Sequence, residues 1–201
     1  DRLPKHGMPF KSVLEKILIT EKIPEEAKGK TAIITCDKNR WFLNVQQHII
    51  IKPEIQGKVN CVSVDPGVRT FATTFSKDKV AIIGEDFAKI KLSPLMKKVD
   101  KLISDKQKIL NQFLKTKWVD LPQWAQNRII YCDKNINKLK CKKEDLVTDL
   151  HHKFAYYLVN NFDCIFLPTF ETKQMVKRKG KIRTIRRNTA RQMLDLGHYK
   201  F

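Results

Sequence analysis

Between Thr31 and Gln46, two runs rich in β-branched and aromatic residues stand on either side of a polar segment. The runs Thr31-Ala-Ile-Ile-Thr-Cys36 and Trp41-Phe-Leu-Asn-Val-Gln46 flank the polar Asp37-Lys38-Asn39-Arg40, and the pattern predicts a β-hairpin. Ahead of it, Pro4, Pro9, Pro24 and Gly29 interrupt short apolar runs and predict loop and short strand. Pro53 and Gly57 break the chain and predict a boundary between a region 1–57 and a region 58–201. From Val59 to Val64 a near-continuous apolar run predicts a buried strand. Asp65-Pro66-Gly67 follows it, then two more β runs, Thr70 to Phe75 and Val80 to Ile83, making a three-strand meander. After Pro94 the period changes. Leu95, Val99, Leu102, Ile109 and Phe113 recur on one helical face with lysines on the other, so a basic amphipathic helix is predicted. Trp118 to Pro122 interrupt it, a second helical stretch runs from about Gln123 to Lys140, and Leu146, Leu150, Phe154 and Leu158 mark a third. Asp163 to Leu167 returns as a buried strand, stopped by Pro168.

Three strands, helices and a further strand suit an α/β domain in which the fourth strand pairs with the first after a helical crossover. That is the order of an RNase H-like fold. The chain has 201 residues and 42% apolar content, enough for a buried core. Its net charge of +19 favours a polyanionic partner over ribosomal or membrane-surface roles. No stretch approaches the roughly 20 apolar residues that span a bilayer. The five cysteines are scattered without a C-x-x-C pair, so neither a disulfide framework nor a zinc site is read here. The first residue is Asp1, which leads us to expect a fragment of a longer protein.

Asp65 is the residue with the clearest chemistry. A carboxylate directly after a buried strand sits at the carboxyl edge of the sheet, where side chains face a crevice. Gly67 permits a tight turn and a close approach. Two Mg2+ ions roughly 4 Å apart, bridged by such an aspartate, activate water against a phosphodiester, and Mg2+ prefers hard oxygen ligands. The plain alternative is an ordinary turn whose Asp bonds nearby backbone N–H groups.

The longer segment Val64-Asp65-Pro66-Gly67-Val68-Arg69-Thr70-Phe71-Ala72-Thr73 resembles the first RuvC motif of the TnpB (OrfB-type) transposon proteins and of their Fanzor relatives. Leu167-Pro168-Thr169-Phe170-Glu171-Thr172-Lys173-Gln174-Met175-Val176 is similar to the segment after the fourth strand in the Fanzor-like branch. The stretch Arg191 to Phe201 is similar to the helix that follows. The hairpin resembles the closing strands of the β-barrel, or wedge, domain that precedes RuvC. The resemblance covers nearly the whole chain. It implies an RNA-guided DNA endonuclease with a truncated RuvC-like domain at 58–201, preceded by the end of a β-barrel domain at 1–57. It implies Asp65 as catalytic residue and first metal ligand of a two-ion Mg2+ site, guide RNA and target DNA as partners, no membrane, and a monomer in a ribonucleoprotein. Structural Zn2+ is expected only in a C-terminal part after Phe201. The implied location is the nucleus for a Fanzor-like protein and the cytoplasm or nucleoid for a bacterial one.

The sequence departs from the pattern of many TnpB proteins at Pro168, which stands where they carry a catalytic Glu. In the Fanzor-like branch that Glu comes from a later strand, so this chain alone is expected to be inactive. Glu171 lies near enough to be weighed as a substitute, against the plainer reading of a solvated loop Glu.

The block Lys177-Arg178-Lys179-Gly180-Lys181-Ile182-Arg183-Thr184-Ile185-Arg186-Arg187, continued by Arg191, holds no acid. We assign nucleic-acid binding to Lys177, Arg178, Lys179, Lys181, Arg183, Arg186, Arg187 and Arg191, because the planar guanidinium matches phosphate oxygens. A helix is predicted to start near Thr184, with Arg187 and Arg191 on one face and Ile185, Thr189, Met193 and Leu196 on the other. The alternative is a solvated charged face. Trp41, Trp118 and Trp124 are expected as core or interface anchors, and His151 and His152 as solvated or hydrogen-bonded. Two other readings compete: a nucleic-acid-binding RNase H-like module that does not cut, and an actin or sugar-kinase-like ATPase. The charge and the lack of a second Gly-rich phosphate turn weigh against the ATPase.

Overall fold

The structure is a computed structural model describing residues 21–22, 25–27, 29–38, 40–46, 59–114, 117–170, 172–176 and 185–201. The chain divides into two compact units, Asp1–Lys52 and Pro53–Phe201.

In the first unit, β1 (Ala32–Asp37) and β2 (Arg40–Val45) form an antiparallel hairpin, paired from Ala32↔Val45 to Asp37↔Arg40. Lys38 reverses the chain at φ 50, as the tight turns of hairpins require. Asn44 Nδ2 donates to Thr35 Oγ1 at 3.0 Å and to the Ile33 carbonyl at 3.2 Å. Neither face is buried, and Trp41 is 73% exposed instead of anchoring a core. Among the described residues this unit holds two paired strands and no barrel.

The second unit is built on a four-stranded mixed sheet, compatible with the RNase H-like expectation. β3 (Cys61–Pro66), β4 (Ala72–Ser76) and β5 (Val80–Ile83) form the antiparallel meander, and β6 (Cys164–Phe166) lies parallel to β3, giving the order β5-β4-β3-β6. β3 starts and ends two residues later than its apolar run suggests, because pairing with β4 continues through Asp65↔Thr73 and Pro66↔Ala72. It is also only half-buried: Val62 and Val64 face the core, while Cys61, Ser63 and Asp65 are exposed.

Between β5 and β6 the chain passes through a π-helical turn, Ala88–Leu92, into α1 (Ser93–Gln112) and α2 (Gln123–Asn161). Pro94 sits in the first turn of α1, where its missing N–H costs nothing. The second and third predicted helices are one 39-residue helix, α2, about 58 Å long. No Gly or Pro interrupts this segment, and buried Cys141 and Val147 carry the apolar stripe across the expected gap. The two ends of α2 do different work. Cys132 and Ile136 pack with Val99 of α1, supported by Met96, Leu102 and Leu139. Val147, Phe154 and Leu158 pack under the sheet with Val62, Val64, Phe71, Ala72 and Leu196.

A reciprocal lock fixes the β3–β6 register: Asn60 N–H donates to Asp163 Oδ2 at 2.8 Å, and Asp163 N–H donates to the Asn60 carbonyl at 2.9 Å. Asn60 Nδ2 also satisfies the Asn161 carbonyl at the end of α2, at 2.8 Å. After β6 come the short α3 (Thr172–Met175) and α4 (Arg187–Leu196), which buries Met193 and Leu196. Arg186 is the N-cap of α4 and makes no side-chain cap bond; Thr184, the predicted cap, lies outside the described residues. Among the described residues no helix is long and apolar enough to cross a membrane.

Candidate functional site

Asp65 is the penultimate residue of β3, not the residue after it, and alternation puts it on the exposed sheet face with Ser63 and Cys61. Among the described residues, no hydrogen bond or ion pair engages its carboxylate. The ordinary-turn alternative requires the opposite, a carboxylate spent on local N–H groups. Backbone bonds close this turn instead. Gly67 N–H donates to the Phe71 carbonyl at 3.1 Å, Phe71 N–H to the Gly84 carbonyl at 3.3 Å, and Asp86 N–H to the Arg69 carbonyl at 2.7 Å. A Cβ on Gly67 would stand 2.8 Å from the Thr70 carbonyl oxygen, so the loop closes this tightly only around glycine. Gly84, at φ 65, lets the Phe71 side chain pack where a Cβ would approach Phe71 Cβ to 2.9 Å.

Phe71 wedges the loop into the core. It is 1% exposed and meets Phe154 edge-on with ring centroids 5.8 Å apart. His198 stacks on it at 4.7 Å and 11°, and His151 lies at 5.1 Å and 30°. His151 Nε2 reaches the Leu196 carbonyl at 2.9 Å, which settles its role as hydrogen-bonded; His152 is exposed. Burial holds both His151 and His198 below the ordinary imidazole pKa.

The oxygens of Asp65 are hard donors of the kind Mg2+ takes, but they are a small part of a complete site. Among the described residues no group of three or more His, Cys, Asp or Glu side chains converges to hold a metal ion. The β3–β6 pairing ends at Ser63↔Phe166, and Pro168, two residues further along the chain, has no ligating atom. Glu171 lies outside the described residues. On the open face beside Asp65 stand Phe75, Val80, Ile82 and Phe166, all half-exposed or more.

Of the basic block, Lys177, Arg178, Lys179, Lys181 and Arg183 lie outside the described residues. Arg186 and Arg187 are exposed at the start of α4. Arg191, further along α4, is engaged at the surface: Nη1 and Nη2 donate to the two Asp100 oxygens at 2.5 and 3.0 Å, and Nε lies 3.8 Å from Asp195. That bidentate pair ties α4 to α1 and engages two of the five guanidinium N–H donors. The Arg191 hydrogen bonds, with the charges of Arg191 and Arg187, hold the Asp100 carboxyl below its usual range. Lys143 completes the network through Asp195 at 3.0 Å. A cleft of about 880 Å3 opens here, with Lys89, Lys97, Asp100, Arg187, Asn188 and Arg191 in its lining. The structure does not bring this cleft and Asp65 together: α4 joins the inner-face core through Leu196, whereas Asp65 is on the outer face.

His198 and Asp100 were not singled out from the sequence. Their partners Phe71 and Arg191 lie 127 and 91 residues away along the chain, and no spacing rule links such pairs.

No protein-family model matches the chain. Over 184 residues it is 22% identical to the TnpB-like proteins L770 and R854 of Acanthamoeba polyphaga mimivirus, with 87% of this chain aligned in each case. These alignments cover 33% and 32% of the two viral proteins, so the chain spans about a third of the length of the curated relatives it matches. A relationship to the TnpB-like proteins is what these similarities support.

Proposed function

We propose that this chain is the part of an RNA-guided DNA endonuclease, of the TnpB and Fanzor kind, that carries the first metal ligand of a RuvC-like domain. The observation that carries the reading is Asp65. Its carboxylate stands on the open face at the carboxyl end of a central strand, and no described side chain or backbone group engages it. Two Mg2+ ions, when bound, supply an activated water and stabilise the leaving oxygen of the phosphodiester. One carboxylate cannot neutralise two such ions, and Pro168 adds none, so the other ligands come from outside the described residues. Asp65 is held in place by the β3–β4 ladder and by the backbone-closed Gly67–Phe71 loop.

In this reading the guide RNA reads sequence by base pairing and the protein grips backbones. Arg186 and Arg187, with Lys89 and Lys97 across the cleft, serve that grip together with the basic block 177–183. Arg191 serves it indirectly, by fixing α4 against α1. The decisive test uses the full-length protein with its guide RNA, matching DNA and Mg2+. Asp65→Ala is expected to lower the cutting rate about 1,000-fold, equivalent to several kcal/mol, while DNA binding is retained. Cutting at the wild-type rate by the variant would remove Asp65 from the chemistry.

Pro168, standing where many TnpB proteins carry the catalytic Glu, favours a second reading, a nucleic-acid-binding RNase H-like module that does not cut. Under it the wild-type protein binds guide and target and leaves the DNA intact at every Mg2+ concentration.

A further inference from the structure

The loop that follows Asp65 is held by a side chain from the end of α4. Gly197 adopts a left-handed conformation, φ 60, which ends the helix and turns the next residue back over the sheet. That residue is His198. Its Nε2 lies 3.0 Å from the Phe71 carbonyl oxygen. A carbonyl can only accept, so Nε2 carries the proton and donates. The same oxygen accepts the Gly67 N–H at 3.1 Å, so both of its lone pairs are used at the rung that closes the hairpin. Gly67 is two residues from Asp65. His198 also stacks on the buried Phe71 ring, and burial disfavours its charged form.

We propose that His198 is a positioning residue for Asp65: by holding the Phe71 carbonyl and ring, it fixes the Gly67–Phe71 loop and thereby the carboxylate at the end of β3. The proposal rests on the metal-ligand reading of Asp65. His151 supplies the internal control. It lies on the same Phe71 ring and is similarly half-buried, but its hydrogen bond goes to the Leu196 carbonyl, away from the loop. A merely structural role predicts equal consequences for the two histidines, whereas a positioning role sets them apart.

The experiment uses the full-length protein with guide RNA and matching DNA. Two readouts are taken: the cutting rate as a function of Mg2+ concentration, and amide hydrogen exchange in the peptide spanning residues 64–72. His198→Ala is expected to slow cutting by up to about 100-fold, the scale of a misplacement of about 1 Å. It should also raise the Mg2+ requirement and speed exchange at Gly67. His198→Gln, whose side-chain amide can donate from the Nε2 position, restores both readouts towards wild type. His151→Ala lowers the melting temperature without moving either. Should His198→Ala fail to fold, His198→Asn replaces it: its amide is one methylene too short to reach the carbonyl, so exchange should be faster than in His198→Gln. Equal exchange in the Gln and Asn variants, or identical shifts for His151→Ala and His198→Ala, overturns the proposal. If Asp65→Ala cuts normally while exchange at Gly67 still depends on His198, the metal-ligand reading has failed and the loop restraint alone survives.

Discussion

The two faces of the second unit's sheet are made by the same strands and have opposite characters. Val62, Val64, Ala72 and Thr74 point to the inner face, where each is buried against α2 and the Phe71 cluster. One residue away along each strand, Cys61, Ser63, Asp65, Thr73 and Phe75 point outward and are exposed or partly exposed. The difference shows how six residues of β3 serve packing and chemistry at once: the strand's period of two assigns alternate positions to each. A slip of one residue would bury Asp65 and expose Val64. The Asn60–Asp163 lock and the tied Gly67–Phe71 loop, at the two ends of β3, oppose that slip.

The comparison breaks most easily on the inner face. Phe154→Ala removes a ring that is 2% exposed and stacks on Phe201 and edge-on to Phe71. It is expected to cost about 3 to 5 kcal/mol in equilibrium urea denaturation. A loss below about 1 kcal/mol would mean that the inner face is not the core.

A smaller effect should appear on acidification. His151 and His198 belong to the inner side and have folded pKa values below the ordinary 6.5, chiefly because burial penalises the charged ring. His151 is further faced by His198, His152 and Lys200, whose charges act in the same direction. Well above pH 6.5 both histidines are neutral in folded and unfolded chains, and their contribution to stability is complete. As pH falls below 6.5 the unfolded chain takes up protons first, so stability declines towards the folded pKa values. The melting temperature should therefore drop on acidification from pH 6.5, and the double variant His151→Gln, His198→Gln should flatten that slope. A slope unchanged by the double variant would assign the acid sensitivity to other groups.

The smallest effect is expected outside. Phe166→Ser replaces a side chain that is 59% exposed on the open face and should change stability by no more than about 0.5 kcal/mol. A loss of 2 kcal/mol or more, measured in the full-length protein, would show that this face is covered there.

Much of the second unit is legible in residue order because its signals are local. Short β runs broken by turn residues mark the meander, the change of period after Pro94 marks α1, and the run at 163–167 marks β6. Boundaries fare worse. Pro66 reads as a strand terminator, yet it keeps its place opposite Ala72 because proline is tolerated at a strand end. The single helix α2 was divided because its stripe thins through Lys140 to Asp145, although nothing there forbids helix. The tryptophans were expected as core or interface anchors, and the structure excludes the core for them: Trp118 and Trp124 are about half-exposed and Trp41 on β2 more so. At the candidate site, the motif around Asp65 singles it out in the sequence. The pairing of Arg191 with Asp100 was not legible, because that acid sits on another helix. Composition records how many cations a segment carries, and only the fold records which of them are already engaged.

The joint between Asn60 and Asp163 spans 103 residues, and this dictates an order of assembly. As the polypeptide emerges, the β3–β5 meander can form from neighbouring segments, but β6 can dock only after the whole helical excursion has been synthesised and folded back. Closing so long a loop is entropically slow compared with forming either helix. Until it happens, the hydrophobic underside of a young meander stays wet, and chaperone capture or misassociation at that stage is the hazard this topology carries.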